Sequence, residues 1–366
     1  MSGKRAFLVG LAAACVGLVL WAALGGGGSP VPVHPPGSVA PPSPSAEAPP
    51  PAAPGRRTFT HPVQCKECHP EVWEEWAPSM HARATTEPEV RALSDDFRTV
   101  ECLSCHAPQP IHSTPLGGRV FERSSRLETG VDCLSCHLLP DGSVAAARDL
   151  PSAPCSPRRT PTLREAITCK GCHEQHGLVS EWETLFSKPD PAKGALLTQG
   201  RPESCIDCHM KPVARPPGAD GKPRTGVDHR SPGGHSIEVL RGGVTLDARV
   251  EGGAVVASVT NSGVGHRVPA DSRHRSFNVW ITVTTEGGAK VHDRVEVLEA
   301  RMYYRTPPRE NTNLRPGETA TARLDLPAGI RGKVLVELVF ALNPFKKERR
   351  EVMDVHRKEL SFDTTK

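Results

Sequence analysis

Large side chains are scarce in this chain: aromatics make up 4% of 366 residues, with five Trp, two Tyr and nine Phe. So few rings cannot fill an ordinary interior at this length. Strong charge of either sign is also missing. The formal net charge of +4 is spread along the chain and gives no case for nucleic-acid binding. A basic cluster at Lys346, Lys347, Arg349 and Arg350 reads as a solvated face. Beyond residue 235 there is no cysteine at all, which confines any thiol chemistry to the first two thirds. What is plentiful is proline (37), glycine (33) and, before residue 235, cysteine (12). Something other than side chains must supply buried apolar area, or much of the chain is unstructured.

The start of the chain predicts export. Lys4 and Arg5 precede an apolar run from Ala6 to Leu24, long enough for a signal h-region or a single span. The run is long for a cleaved signal and no clear A-x-A site follows, so an uncleaved membrane anchor over residues 1–28 is expected, with a cleaved signal as the alternative. The leading positive charges would stay on the cytoplasmic side and the remainder would be translocated to the periplasm. Cys15 does not make a lipidation site, because the apolar run continues past it and Leu11 stands one position too far upstream. Residues 29–57, dominated by Pro, Ala, Ser and Gly, read as a partly polyproline spacer.

Between residues 61 and 210 one pattern recurs five times. It reads Cys65-Lys66-Glu67-Cys68-His69, Cys102-Leu103-Ser104-Cys105-His106, Cys133-Leu134-Ser135-Cys136-His137, Cys169-Lys170-Gly171-Cys172-His173 and Cys205-Ile206-Asp207-Cys208-His209. C-x-x-C-H is the attachment signature of c-type haem: the two thiols add to the porphyrin vinyl groups, and the next histidine lies beneath the ring as proximal iron ligand. Random order of these residues would give on the order of 0.02 such matches. Zinc knuckles also use C-x-x-C, but do not need a histidine directly after every second cysteine. A redox-active disulfide pair would not repeat five times in so short a span. Five covalently attached haems are therefore expected, and they would supply the missing buried surface. Folding without them should fail. Cys15 and Cys155 lie outside the pattern.

Eleven histidines stand outside the motifs. A second histidine on an iron favours electron transfer, whereas an open position permits substrate chemistry. The candidates for that second position are His81, His112, His229, His235 and His266, followed by His176 and His61; His34 and His356 rank behind them. Met80 and Met210 are weaker alternatives, each beside a stronger histidine. A surface or hydrogen-bonded histidine is the commoner role for any one of these.

The chain resembles the multihaem cytochromes related to the tetrahaem electron acceptor of hydroxylamine oxidation. The first motif followed by Trp76-x-x-Ser79-x-His81-Ala82 carries the resemblance, as does Gly130-Val131-Asp132 before the third. Trp182 and Ser187 before the fifth motif and Met210, then His229-x-x-Pro232-Gly233-Gly234 and Asn261-x-x-x-Gly265-His266-Arg267-Val268-Pro269, are similar to a bacterial group with an appended β domain. The likeness spans about residues 61–285 and departs from the pattern at Pro269-Ala270-Asp271, where the group continues Pro-Thr-Gly. It implies mostly bis-histidine haems, electron transfer, and His81, His229 and His266 as ligands.

After residue 235 the pattern changes. Val244–Val250 alternates apolar and polar residues as a half-buried strand does, and similar runs occupy 254–260, 277–284, 319–326 and 334–340. Turns such as Glu286-Gly287-Gly288 and Arg315-Pro316-Gly317-Glu318 separate them, which suggests an antiparallel sandwich. The expected architecture is a mainly α, loop-rich pentahaem domain over residues 58–234 followed by an all-β sandwich over 235–366. The expected function is electron relay between a membrane-side donor and a periplasmic or outer acceptor protein. The rival is a reductase or oxidase of a small nitrogen or sulfur compound at a five-coordinate haem. No C-x-x-C-K motif marks a lysine-ligated haem, and both tyrosines, Tyr303 and Tyr304, fall in the β region, which argues against a tyrosine-modified one.

Overall fold

The computed structural model describes residues 57–174, 178–186, 204–217, 221–270, 275–299, 312–342 and 352–365. The expected anchor and spacer, His176, both tyrosines and the basic cluster at 346–350 lie outside these residues. Among the described residues no helix is long and apolar enough to cross a membrane.

Up to residue 234 the elements are short. Helices Val63–Lys66, Pro70–Trp76, Pro88–Leu93, Leu103–His106, Cys133–His137, Ile167–His173, Leu178–Phe186 and Cys205–His209 run four to nine residues each. Helices of that length are not stable alone in water. Proline sets two of their starts, at Pro70 and Pro88, where its missing N–H costs nothing. Two small ribbons join them: parallel β1 (Val144–Ala146) with β2 (Pro157–Arg159), and antiparallel β3 (Pro212–Arg215) with β4 (Arg224–Val227). Five of the buried apolar residues here are alanines, Ala82, Ala84, Ala107, Ala145 and Ala166, and Trp76, Ile111, Leu134 and Ile206 are the large ones.

Beyond the helix Ile237–Gly243 the chain is built of strands: β5 (Val244–Glu251), β6 (Ala254–Asn261), β7 (Ser276–Thr285), β8 (Lys290–Glu299), β9 (Thr319–Asp325), β10 (Arg331–Ala341) and β11 (Val352–Asp363). They form a three-stranded sheet in the order β5-β6-β9 and a four-stranded sheet in the order β11-β10-β7-β8, antiparallel throughout. Gly252 and Gly253 close the β5–β6 hairpin with φ of 57° and 73°. A two-residue loop with both φ positive matches the right-handed strand twist, and glycine adopts it without strain. One hydrophobic cluster draws on both sheets: Leu246, Val255 and Leu324 come from the first, and Phe277, Ile281, Val336, Leu338 and Phe362 from the second. The five alternating segments recognised in the sequence are β5, β6, β7, β9 and β10. The two that alternation did not single out, β8 and β11, are the edges of the four-stranded sheet.

Candidate haem-binding sites

The third and fifth motifs begin at helix starts fixed by capping. The Asp132 carboxylate accepts the Ser135 N–H (3.0 Å) ahead of Cys133–His137, and Asp207 accepts the Ser204 N–H (2.8 Å) ahead of Cys205–His209. A single helical turn places Cys, Cys and His of one motif around a common point. The thiols of separate motifs also adjoin: Cys65 bonds Cys133, Cys105 bonds Cys172, and Cys205 bonds Cys169. The first motif is thus next to the third, the second next to the fourth, and the fourth next to the fifth. Burial pushes the Cys136 thiol up to about 11, so it is protonated at neutral pH. Among the described residues no three His, Cys, Asp or Glu side chains converge to hold a metal ion directly.

Three histidines from elsewhere in the chain face motif histidines. His81 lies 6.2 Å from His173 between ring centres, His229 lies 6.3 Å from His137, and His266 lies 6.4 Å from His209. Imidazoles on opposite faces of one iron, each bonded at about 2 Å, have ring centres about 6.3 Å apart. The residues therefore fit a bis-histidine haem at each of these three places. The ring planes differ, meeting at 66°, 32° and 10° respectively.

The Nδ1 atoms point the same way. His106 bonds the Ala84 carbonyl (2.8 Å), His137 that of Ala145 (2.8 Å) and His209 that of Pro232 (2.8 Å). Among the facing histidines, His229 bonds the Val227 carbonyl (2.9 Å) and His266 that of Arg267 (2.9 Å). A carbonyl can only accept, so Nδ1 carries the proton and Nε2 keeps its lone pair for a metal. Burial also holds His229 and His266 at about 4, well below the ordinary histidine value, which keeps both rings neutral ligands at neutral pH.

Local sequence explains each position. Trp76 is buried and donates its indole N–H to the Val131 carbonyl (2.9 Å), while the Val131 N–H donates to the His81 carbonyl (2.8 Å). Ser79 Oγ accepts the Ala82 N–H (3.2 Å). Gly130 completes this clamp: a Cβ there would stand 2.3 Å from the His81 carbonyl oxygen, and its φ is 59°. Asp132 is held in turn by a buried network, in which Arg123 donates to the carbonyls of Pro108, Arg126 and Gly130 and to Thr129 Oγ1, and lies 3.6 Å from the carboxylate. His266 is set by buried Asn261, whose amide donates to the His266 carbonyl (2.9 Å) and accepts the Val264 N–H (3.1 Å).

The remaining candidates behave differently. His112 places Nε2 on the Cys136 carbonyl (3.2 Å), beside the third motif rather than across from any motif histidine. It lies six residues past His106, in a short 3-10 turn (Ile111–Ser113). His235 contacts Arg275 (3.4 Å) and is held at about 4 by burial and by Arg275 and Arg83. His61 lies 3.8 Å from Glu128, and His356 bonds the Val244 carbonyl (2.7 Å). Near His106 stands the Phe97 ring, at 5.5 Å. His69 has its pKa lowered by desolvation and by the neighbouring His137. Sequence reading missed the supporting carbonyls, because backbone acceptors leave no residue-type signal.

With that geometry in place, a family model and a solved structure both resemble parts of the chain. The family model of cytochrome c554 and c-prime matches residues 64–138. The fold is similar to a penta-heme cytochrome c552 from Thermochromatium tepidum, with TM-score 0.57, 17% identity, and coverage of 83% of this chain and 99% of that one. A superoxide reductase from Nanoarchaeum equitans overlaps 33% of this chain and 94% of its own at TM-score 0.20 and 14% identity, too low to carry an argument. No curated protein sequence matches the chain. Residues 64–138 thus match a c-type cytochrome family, and the chain shares the fold of a penta-heme cytochrome.

Proposed function

We propose that the chain carries five covalently attached haems and relays electrons through them. Ten cysteines form the thioethers: Cys65, Cys68, Cys102, Cys105, Cys133, Cys136, Cys169, Cys172, Cys205 and Cys208. His69, His106, His137, His173 and His209 are the proximal ligands. His81, His229 and His266 are the second ligands to the irons of His173, His137 and His209. The observation that carries this reading is the trio of ring separations, 6.2–6.4 Å, between residues far apart in sequence.

Bound haem supplies a reversible one-electron couple. Carbonyls bonded to Nδ1 of His106, His137, His209, His229 and His266 hold those rings neutral and oriented, as ligands of a haem iron would need to be. Adjacent motifs, first with third, second with fourth and fourth with fifth, would bring neighbouring haems close enough to pass electrons. The two sheets that share one core support a sandwich, whose His266 would cap the fifth haem. Tethering through residues 1–28 in the periplasmic membrane face, with a membrane-side donor and a periplasmic or outer acceptor, follows from the leading apolar run.

Intact mass of the chain matured in a host with c-type cytochrome assembly tests the proposal. A gain of five haems that survives acid denaturation is expected. Fewer, or haem lost to acid extraction, contradicts it.

A further inference from the structure

A buried ion pair stands behind the His137–His229 site. Arg215 on β3 donates both terminal nitrogens to Glu75, Nη1 to Oε1 and Nη2 to Oε2, each at 2.7 Å. Glu75 lies on the helix Pro70–Trp76 that follows the first motif, so the pair spans 140 residues of sequence. The side chains are 11% and 16% exposed, enough burial for their charges to act at short range with little screening. Glu75 Oε2 also accepts the His229 backbone N–H (3.0 Å) and lies 3.8 Å from His229 Nδ1. Arg215 Nη2 donates to the Val227 carbonyl, the same oxygen that receives the His229 Nδ1–H. Gly226 makes room: a Cβ there would stand 2.7 Å from Arg215 Nε and 3.0 Å from its Cγ.

The two charges therefore act on one imidazole in opposite directions. The guanidinium draws electron density from the Val227 carbonyl, weakens its hold on the Nδ1 proton and makes His229 a poorer donor to ferric iron. The carboxylate near Nδ1 does the reverse. We propose that Glu75 and Arg215 are positioning residues that set the reduction potential of the haem held by His137 and His229, through balanced charges behind the distal ring. This rests on the ligand pairing proposed above.

The test is redox titration of the full-length holoprotein. His229→Ala first identifies the couple, since that haem loses its low-spin signature. Glu75→Gln leaves the guanidinium unopposed and is expected to shift that couple upward. Arg215→Gln leaves the carboxylate and is expected to shift it downward. The double variant should return close to the parent, and Glu75→Asp, which keeps the charge, should track it. All four should keep the haem low-spin. Shifts of the same sign, no shift at unchanged haem content, or loss of the low-spin signature in either single variant would overturn the proposal. A His229→Ala protein with every haem unchanged would instead remove the pairing on which it stands.

Discussion

The two described regions are stabilised in opposite ways. After residue 235 the core is made of side chains: Val244, Val255, Ile281, Val334 and Leu338 are at most 1% exposed, and two sheets meet over them. Before it, about half of the buried apolar residues are alanines, and polar groups such as Asp132, Ser135 and Arg123 are buried among them. Apolar burial scales with area, and alanine offers little of it. The contrast teaches that the first region is a frame for something else apolar, fixed by hydrogen bonds where it cannot be fixed by packing.

The largest expected effect breaks the comparison outright. Full-length chain made without haem attachment should lose its ordered structure before residue 235 while the β region stays folded. Limited proteolysis would show a resistant C-terminal fragment; equal resistance in both regions would contradict the contrast. Removing Arg123 comes next. Arg123→Met leaves the Asp132 carboxylate, with no exposed side-chain surface, facing a buried network short of its charge partner, and should cost about 3–5 kcal/mol in holoprotein denaturation. In the other region Ile281→Ala should cost about 2–5 kcal/mol through the cavity it leaves, without changing the haem spectrum. The smallest effect concerns pH. An unfolded histidine takes its proton near 6.5, but His235 resists until about 4, so over that window the unfolded chain binds more protons. Stability should fall as pH drops from 6.5 toward 4, and His235→Gln should flatten that slope in acid denaturation curves.

Much of this was legible in the sequence, for reasons that differ by residue. The five motifs were plain because the chemistry of attachment fixes both residue type and spacing. The central strands β6, β7 and β10 were plain because burial imposes alternation. Strands β8 and β11 were not, since charged residues recur along both and weaken the apolar signal. Facing histidines were only partly legible: His81, His229 and His266 could be nominated, and so could His112 and His235, which lie against the Cys136 carbonyl and Arg275. What separates the two sets is three-dimensional: Trp76, Gly130 and Asn261 hold backbone segments in place from a distance. The Arg215–Glu75 pair was invisible for the same reason, with 140 residues between its members.

The central claim is that three histidines distant in sequence complete three irons. Low-temperature EPR of the oxidised holoprotein, compared with His81→Ala, His229→Ala and His266→Ala, tests it most directly. The account predicts that each variant converts one low-spin ferric haem to a high-spin species near g ~6 and leaves the others as they were. Variants whose low-spin signals match the parent would contradict it.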